Sequence, residues 1–318
     1  MQWKLPKVYA VKHKELDIRM SSRSGGIFTA LSDEVLKREG VVYGCVLTEN
    51  FDAIHVRAES VEERNYMRGS KYIQSDVGNT FKQAKMDLDA NRIVLFSGTS
   101  CQIAGLKAFL GKEYENLLCI DIVCHGVPST LIWYENVHRQ EIRYKGKCVS
   151  VNFRNKKDFG WNSSVETYKL VKKNGKEIIV NSKEFTKMFY NHYILRPSCF
   201  KCPYKDVVHP GDITIADYWG IEKAAPGFDD NKGVSLVLIN NEKGERIFEV
   251  IKNCLEYCEC RLEDSMQPPL ISPFEEPKER DKFWQDFYRL PYSKLVNSYV
   301  GEGKKQKIKR ILKKVLGR

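Results

Sequence analysis

Three short apolar runs constrain the fold of this chain more than any other feature: Val94-Leu-Phe96, Cys119-Ile-Asp-Ile-Val123 and Ser235-Leu-Val-Leu-Ile239. Each is nearly continuous, as expected of strands covered on both faces. Amphipathic stretches of helical period separate them, and helices are expected over Ile27–Arg38, Gly78–Leu88, Gln102–Leu110, Thr130–Tyr144 and Glu245–Cys254. Strands are expected at Val8–Val11, Val41–Leu47, Arg92–Phe96, Leu117–Val123, Asp212–Ala216 and Ser235–Ile239. The pattern predicts an α/β chain: a mixed sheet with covering helices. Asn174-Gly175 stands between two strand-like runs and marks a hairpin inserted into, and projecting from, that sheet. Leu262–Pro291, dense in proline and charge, reads as a wrapping segment with little regular structure.

No stretch approaches the ~20 apolar residues of a membrane-spanning helix. The first twenty residues have neither an apolar core nor a small-residue cleavage site. The expected location is cytoplasmic, where ten cysteines point to metal or redox chemistry more than to disulfides. Cys45, Cys119, Cys148 and Cys254 lie in apolar or periodic stretches and read as small core residues. Cys258 and Cys260 form a pair that is too few thiolates to complete a metal site.

The remaining four cysteines fall in turns. Arg92–Phe96 runs into Ser97-Gly98-Thr99-Ser100-Cys101, with a helix starting close by. A cysteine there feels the positive end of the helix dipole, which favours thiolate, and backbone N–H groups of the turn can hold phosphate. The strand Leu117–Val123 ends in Cys124-His125-Gly126, followed by a helix from about Ser129. Cys199-Phe-Lys-Cys202-Pro203 can chelate one centre from a single turn. Together these are four thiolates, enough for zinc or a 4Fe–4S cluster. One C-x-x-C instead of two knuckles favours iron–sulfur over zinc. A zinc-stapled binding or scaffold protein, and a thiol enzyme with Cys101 as nucleophile, are the competing readings. A C-x5-R phosphatase is disfavoured, because Lys107 stands where the arginine belongs.

Two segments carry flavin or phosphate chemistry in outline. Ser21-Ser22-Arg23-Ser24-Gly25-Gly26 precedes a helix, and its small residues permit close approach of a phosphate. Ser70, Lys71 and Tyr72 add a cation and a ring beside a second turn. A capped helix start and a solvated basic turn explain the same residues. His125 is the one histidine within a motif, with proton transfer or a structural hydrogen bond as its role, and Asp217 ends a strand where it can orient a ligand or cap the next segment.

Taken in order, SSRSGGIFTALSDEVLKREGVVYG, MRGSKYIQS, VLFSGTSCQIAGL, DIVCHGVPS, RPSCFKCPY and GDITIADYWG resemble the beta-subunit family of coenzyme F420-reducing hydrogenases and dehydrogenases, from about Pro6 to Asn253. The resemblance implies FAD and a 4Fe–4S cluster. It places the cluster on Cys101, Cys124, Cys199 and Cys202, and the flavin on Ser22–Gly26 and Ser70–Tyr72; Ser97, Gly98 and Thr99 are further cofactor-binding candidates through the backbone N–H groups of their own turn. Catalytic candidates are His125 and Lys71. The implied activity is an oxidoreductase passing electrons between a reduced carrier, of ferredoxin, deazaflavin or nicotinamide type, and a substrate. Bacterial relatives of this kind often sit in surface-polysaccharide gene clusters, which makes polysaccharide biosynthesis the expected setting.

The chain departs from the family at two points. Ser100 stands where a proline is usual, and no cysteine precedes Cys45, so the cysteine-rich ferredoxin module of many relatives is not expected. Electrons are then expected from a separate protein or directly from a reduced cofactor. Residues 1–90 and 91–300 are expected to form the N-terminal and C-terminal parts of the flavin-binding α/β domain, the latter with the cluster cysteines. Residues 301–318 form a basic tail that holds eight Lys or Arg against one Glu, +7 of the net +11. Its Ile308, Ile311, Leu312, Val315 and Leu316 recur at helical spacing, the pattern of an amphipathic helix on the inner face of an anionic membrane, with a solvated disordered end as the competing reading. With the excess charge confined to the tail, no nucleic-acid partner is expected.

Overall fold

The computed structural model describes residues 2–301. The basic tail therefore lies, from residue 302 onward, outside the described residues. The chain divides into two compact units that interleave along the sequence. The first comprises the chain up to Val127, Phe153–Ser163 and Pro197–Phe274; the second comprises Pro128–Asn152, Ser164–Arg196 and the chain from Glu275.

Twelve strands are formed among the described residues: β1 Gln2–His13, β2 Val41–Leu47, β3 Ala53–Ala58, β4 Ser75–Asp76, β5 Val94–Thr99, β6 Leu117–Ile122, β7 Gly146–Asn152, β8 Glu166–Lys172, β9 Glu177–Ser182, β10 Ile213–Asp217, β11 Ser235–Asn241 and β12 Leu255–Cys260. In the first unit nine of them make one mixed sheet in the order β12-β1-β11-β10-β6-β5-β2-β3-β4. β10, β6, β5 and β2 run parallel, whereas β11, β1 and β12 add antiparallel strands on one side.

Alternation along each strand explains why the apolar runs are continuous. Leu95 and Ile120 point into one core with Ile27, Leu31, Val35, Phe248 and Ile251. Val94, Phe96 and Cys119 point into the opposite core with Ala84, Leu88, Ile103 and Leu106. Helices Ile27–Lys37 and Glu242–Ile251 cover the first face, and Thr80–Asp89 and Ser100–Leu110 the second. Every residue of β11 is buried. Each large side chain so buried contributes roughly 1.5–3 kcal/mol.

The second unit holds a three-stranded antiparallel sheet, β7-β8-β9, with helices Thr130–Tyr144, Glu184–Tyr190, Arg280–Arg289 and Tyr292–Tyr299. The expected hairpin is β8–β9. Its turn reverses at Gly175, whose φ of +78° suits glycine, and it pairs with β7 instead of extending the large sheet. The expectation of little regular structure over Leu262–Pro291 is corrected by helix Arg280–Arg289, which buries Phe283 against Tyr193 and Tyr299. No helix among the described residues is long and apolar enough to cross a membrane.

Candidate functional site

The parallel strands β10, β6 and β5 end at Asp217, Ile122 and Thr99, which lie on one edge of the large sheet. β11 begins at that edge, with Ser235 opposite Asp217, and β1 reaches it, with Val11 opposite Ser235. The carboxyl ends of parallel strands are where open α/β sheets take ligands. Every motif that the sequence singled out for chemistry in this unit leaves the sheet on this edge or packs beside it.

Cys101 is in the first turn of helix Ser100–Leu110, directly after β5, and is exposed. Thr99 starts the helix: its N–H donates to Gln102 Oε1 at 2.9 Å, and its Oγ1 lies 3.1 Å from Cys101 Sγ. Cys124 follows β6 and is half-buried, as are Cys199 and Cys202 around the 3-10 turn Pro197–Lys201. The Val127 N–H donates to Cys199 Sγ at 3.4 Å, tying the turn after Cys124 to the C-x-x-C loop.

Cys124 and Cys199 are the two of the four whose thiols are shifted. Burial pushes Cys124 up to about 12, opposed by Lys205 and reinforced by Cys199 and Cys101. Burial also raises Cys199, with the Val127 hydrogen bond opposing and Cys202 and Cys101 adding. The sequence-distant cysteines are thus brought into one neighbourhood. As arranged, no group of three or more His, Cys, Asp or Glu side chains among the described residues is placed to hold a metal ion.

Two residues that the sequence reading passed over support this neighbourhood. Lys205 is buried, and its Nζ donates to the carbonyls of Cys124, at 2.6 Å, and His125, at 2.9 Å, while lying 4.5 Å from the Phe274 ring centroid. Burial lowers its pKa, and Cys124, Cys202 and Cys199 act in the opposite direction. His209 is buried behind the turn of Cys101: its Nδ1 lies 2.9 Å from Asp121 Oδ2 and 3.1 Å from Ser100 Oγ. Asp121 Oδ1 accepts from Thr214 Oγ1 at 2.6 Å, so the carboxylate pins β6, β10 and the start of the Cys101 helix together. His125, the candidate proton-transfer group, packs its ring 4.3 Å from that of Phe274.

The flavin candidates lie on the same edge, with most of their donors already engaged. Ser22 Oγ donates to Ile18 O at 2.8 Å and Ser24 Oγ to Val234 O at 2.6 Å, while the Gly25 N–H donates to Ser235 Oγ at 2.9 Å. Gly26 starts helix Ile27–Lys37 at a φ of +96°, with no side-chain cap. Ser97 Oγ donates to Tyr43 O at 3.1 Å, and His55 Nε2 lies 2.9 Å from the Ser97 carbonyl. Gly98 follows at the end of β5. Ser70 is exposed. Lys71 Nζ donates to the carbonyls of Tyr66, Met67 and Arg68, closing the end of helix Val61–Asn65, and burial lowers its pKa to about 8. Tyr72 packs edge-on against Phe153.

Arg23, in the Ser22–Gly26 segment, is only partly engaged. Its side chain is 9% exposed, it approaches Asp217 Oδ2 at 3.4 Å, and its Nη2 donates to Trp161 O at 2.8 Å. Its Nη1 is buried without a hydrogen-bond partner among the described residues. Asp217, expected to orient a ligand or to cap, holds this cluster together: it accepts from Arg154 Nη1 at 2.8 Å and from Trp161 Nε1 at 2.9 Å. Trp161 stacks on Trp219 with centroids 4.9 Å apart, and Arg154 lies over Trp219. Arg154 and Trp161 arrive from the short excursion Phe153–Ser163, and no spacing in the sequence marks them as neighbours of Asp217.

The family model that describes the C terminus of the coenzyme F420 hydrogenase/dehydrogenase beta subunit matches residues 91–263, the span carrying all four cysteines. A chain of the F420-reducing NiFe hydrogenase complex from Methanosarcina barkeri is similar in fold, with a TM-score of 0.51 and 18% identity over 80% of this chain and 82% of that one. No curated protein matches the chain.

Proposed function

Because the chain belongs to the coenzyme F420 hydrogenase/dehydrogenase beta-subunit family, we propose that it is a flavin- and iron–sulfur-dependent oxidoreductase passing electrons between a reduced carrier and a substrate. One observation carries the reading: Cys101 and Cys124 follow adjacent parallel strands at one edge of the sheet, and the C-x-x-C loop is tied to the turn after Cys124 by the Val127 amide and by Lys205.

The donor set fits a 4Fe–4S cluster by its chemistry. Four cysteines are the number required, and sulfur accepting from backbone N–H, as at Val127, is a feature that tunes such clusters. Cys101, Cys124, Cys199 and Cys202 would hold it, and the side chains must draw closer than they stand to do so. For FAD the fit rests on Arg23 and the uncapped start of helix Ile27–Lys37, where an unpartnered guanidinium nitrogen and helix N–H groups suit a phosphate. Lys71, the other cationic candidate, already donates to three carbonyls. When bound, the pair supplies single-electron transfer and its conversion to a two-electron step. The chain's own residues orient the site: Asp121 and His209 fix the turn of Cys101, and the Val127 amide fixes Cys199. The similar fold in a hydrogenase complex supports a separate protein as electron partner.

Anaerobic purification and reconstitution, followed by iron, sulfide, zinc and flavin quantification, test the reading. Roughly four iron and four sulfide per chain, with a brown colour that bleaches under dithionite, are expected. Cys199→Ala should abolish iron retention. Colourless protein containing zinc, or wild-type protein that takes up neither iron nor flavin, would refute the proposal.

A further inference from the structure

We propose that Lys205 sets the reduction potential of the cluster held by Cys101, Cys124, Cys199 and Cys202, acting as a fixed cation against the thiolates. This rests on the cluster reading above. A surface lysine would do little, because solvent and salt screen it and its stem is mobile. Lys205 differs on both counts. It is 6% exposed. Its ammonium is fastened to the carbonyls of Cys124 and His125, and it lies against Phe274. The lysine lies three positions beyond Cys202, so it spans from the C-x-x-C loop to the turn that carries Cys124.

The position has an electrostatic consequence. Reduction adds one electron, and therefore one negative charge, to a centre already made anionic by four thiolates. A cation fixed nearby in a medium of low dielectric stabilises the reduced state more than the oxidised one. The electron comes from the reduced carrier; no bond of Lys205 forms or breaks and no proton leaves it. Lys205 is therefore a positioning and tuning residue, with no role as acid or base.

The alternative is a purely mechanical clamp. Lys205→Met keeps much of the apolar stem and removes the charge, whereas Lys205→Arg keeps the charge. The measurement is an anaerobic redox titration of the reconstituted protein, read by electron paramagnetic resonance alongside iron and sulfide content. Lys205→Met is expected to retain iron and to titrate at a more negative potential, with Lys205→Arg returning towards the wild-type midpoint. Loss of iron in Lys205→Met but not in Lys205→Arg would overturn it in favour of a charge needed to assemble the cluster. Lys205→Met with full iron and an unchanged midpoint would overturn the inference and leave the cluster reading intact. Loss of iron in both variants would overturn it too, in favour of the clamp. Wild-type protein that binds no iron would instead mark failure of the cluster reading itself.

Discussion

Replacing Gly25 with alanine puts a methyl group where the fold has no room. The new Cβ would lie 2.1 Å from the Val11 carbonyl oxygen and 2.7 Å from the Ser235 nitrogen, against the 3.4 Å or more of ordinary contact. Val11 cannot retreat easily, since β1 pairs there with Ser235 on one side and Tyr257 on the other. The turn must lift instead, which breaks the hydrogen bond from the His13 N–H to the Gly25 carbonyl, 2.7 Å, and that from the Gly25 N–H to Ser235 Oγ, 2.9 Å. Overpacking costs about 1–3 kcal/mol. Two lost hydrogen bonds add about 1 kcal/mol each, for about 3–5 kcal/mol altogether. A fall in Tm of about 10 °C is expected, at roughly 2–4 °C per kcal/mol for a unit of this size. Gly105→Ala is the control. It lies inside helix Ser100–Leu110 with its nearest neighbour, Phe81, at 3.7 Å, and alanine should gain about 0.5–1 kcal/mol there. Thermal and urea unfolding of both variants decide the matter. Stability of Gly25→Ala within about 0.5 kcal/mol of wild type would refute the steric reasoning.

Two other outcomes follow from the same packing and charge geometry. Phe248, 1% exposed, packs with its ring centroid 4.7 Å from that of Tyr9 and 6.1 Å from that of Tyr257, so Phe248→Ala should lower urea-unfolding stability by about 3–5 kcal/mol; a loss under about 1 kcal/mol would show that the cavity collapses. Glu59 is held at about 2, against an ordinary 4.5, by Arg57 and then Arg92. Its folded-state pKa is depressed, so its contribution is present above 4.5 and is lost as the pH falls through 4.5 towards 2. Glu59→Gln should flatten that part of the acid-unfolding curve by less than ~1 kcal/mol, since the pair is exposed, and the difference between the proteins should shrink in about 1 M salt. Identical acid curves at low salt would remove the assignment.

The central strands were legible because burial on both faces leaves a signature inside a handful of consecutive residues. β2 spans the expected Val41–Leu47, and helix Thr130–Tyr144 has its expected limits. β12 escaped because its sequence, LEYCEC, alternates charge with cysteine at an edge where half the side chains meet solvent. Helix Arg280–Arg289 escaped because the prolines and charges before it masked a face that buries only Phe283. In the site, the C-x-x-C loop was readable because its chemistry is local. Lys205, His209 and the Arg154–Trp161 pair gain meaning only through contacts with residues 56 to 109 positions away. Lys71 teaches the reverse: its partners Tyr66, Met67 and Arg68 are immediate neighbours, and a lysine just past a short helix is a known way to satisfy terminal carbonyls.

The place of β1 between β11 and β12 bears on how the chain is made. Of the strands described, β1 is made before the others, and it pairs with two that are among the last of its unit, Val11 with Ser235 and with Tyr257. At translation speeds of about 5–20 residues per second, β1 waits on the order of ten to fifty seconds for either partner. During that wait its apolar face and backbone donors have no native partner strand, so chaperone capture of nascent chains should concentrate on lengths shorter than about residue 240.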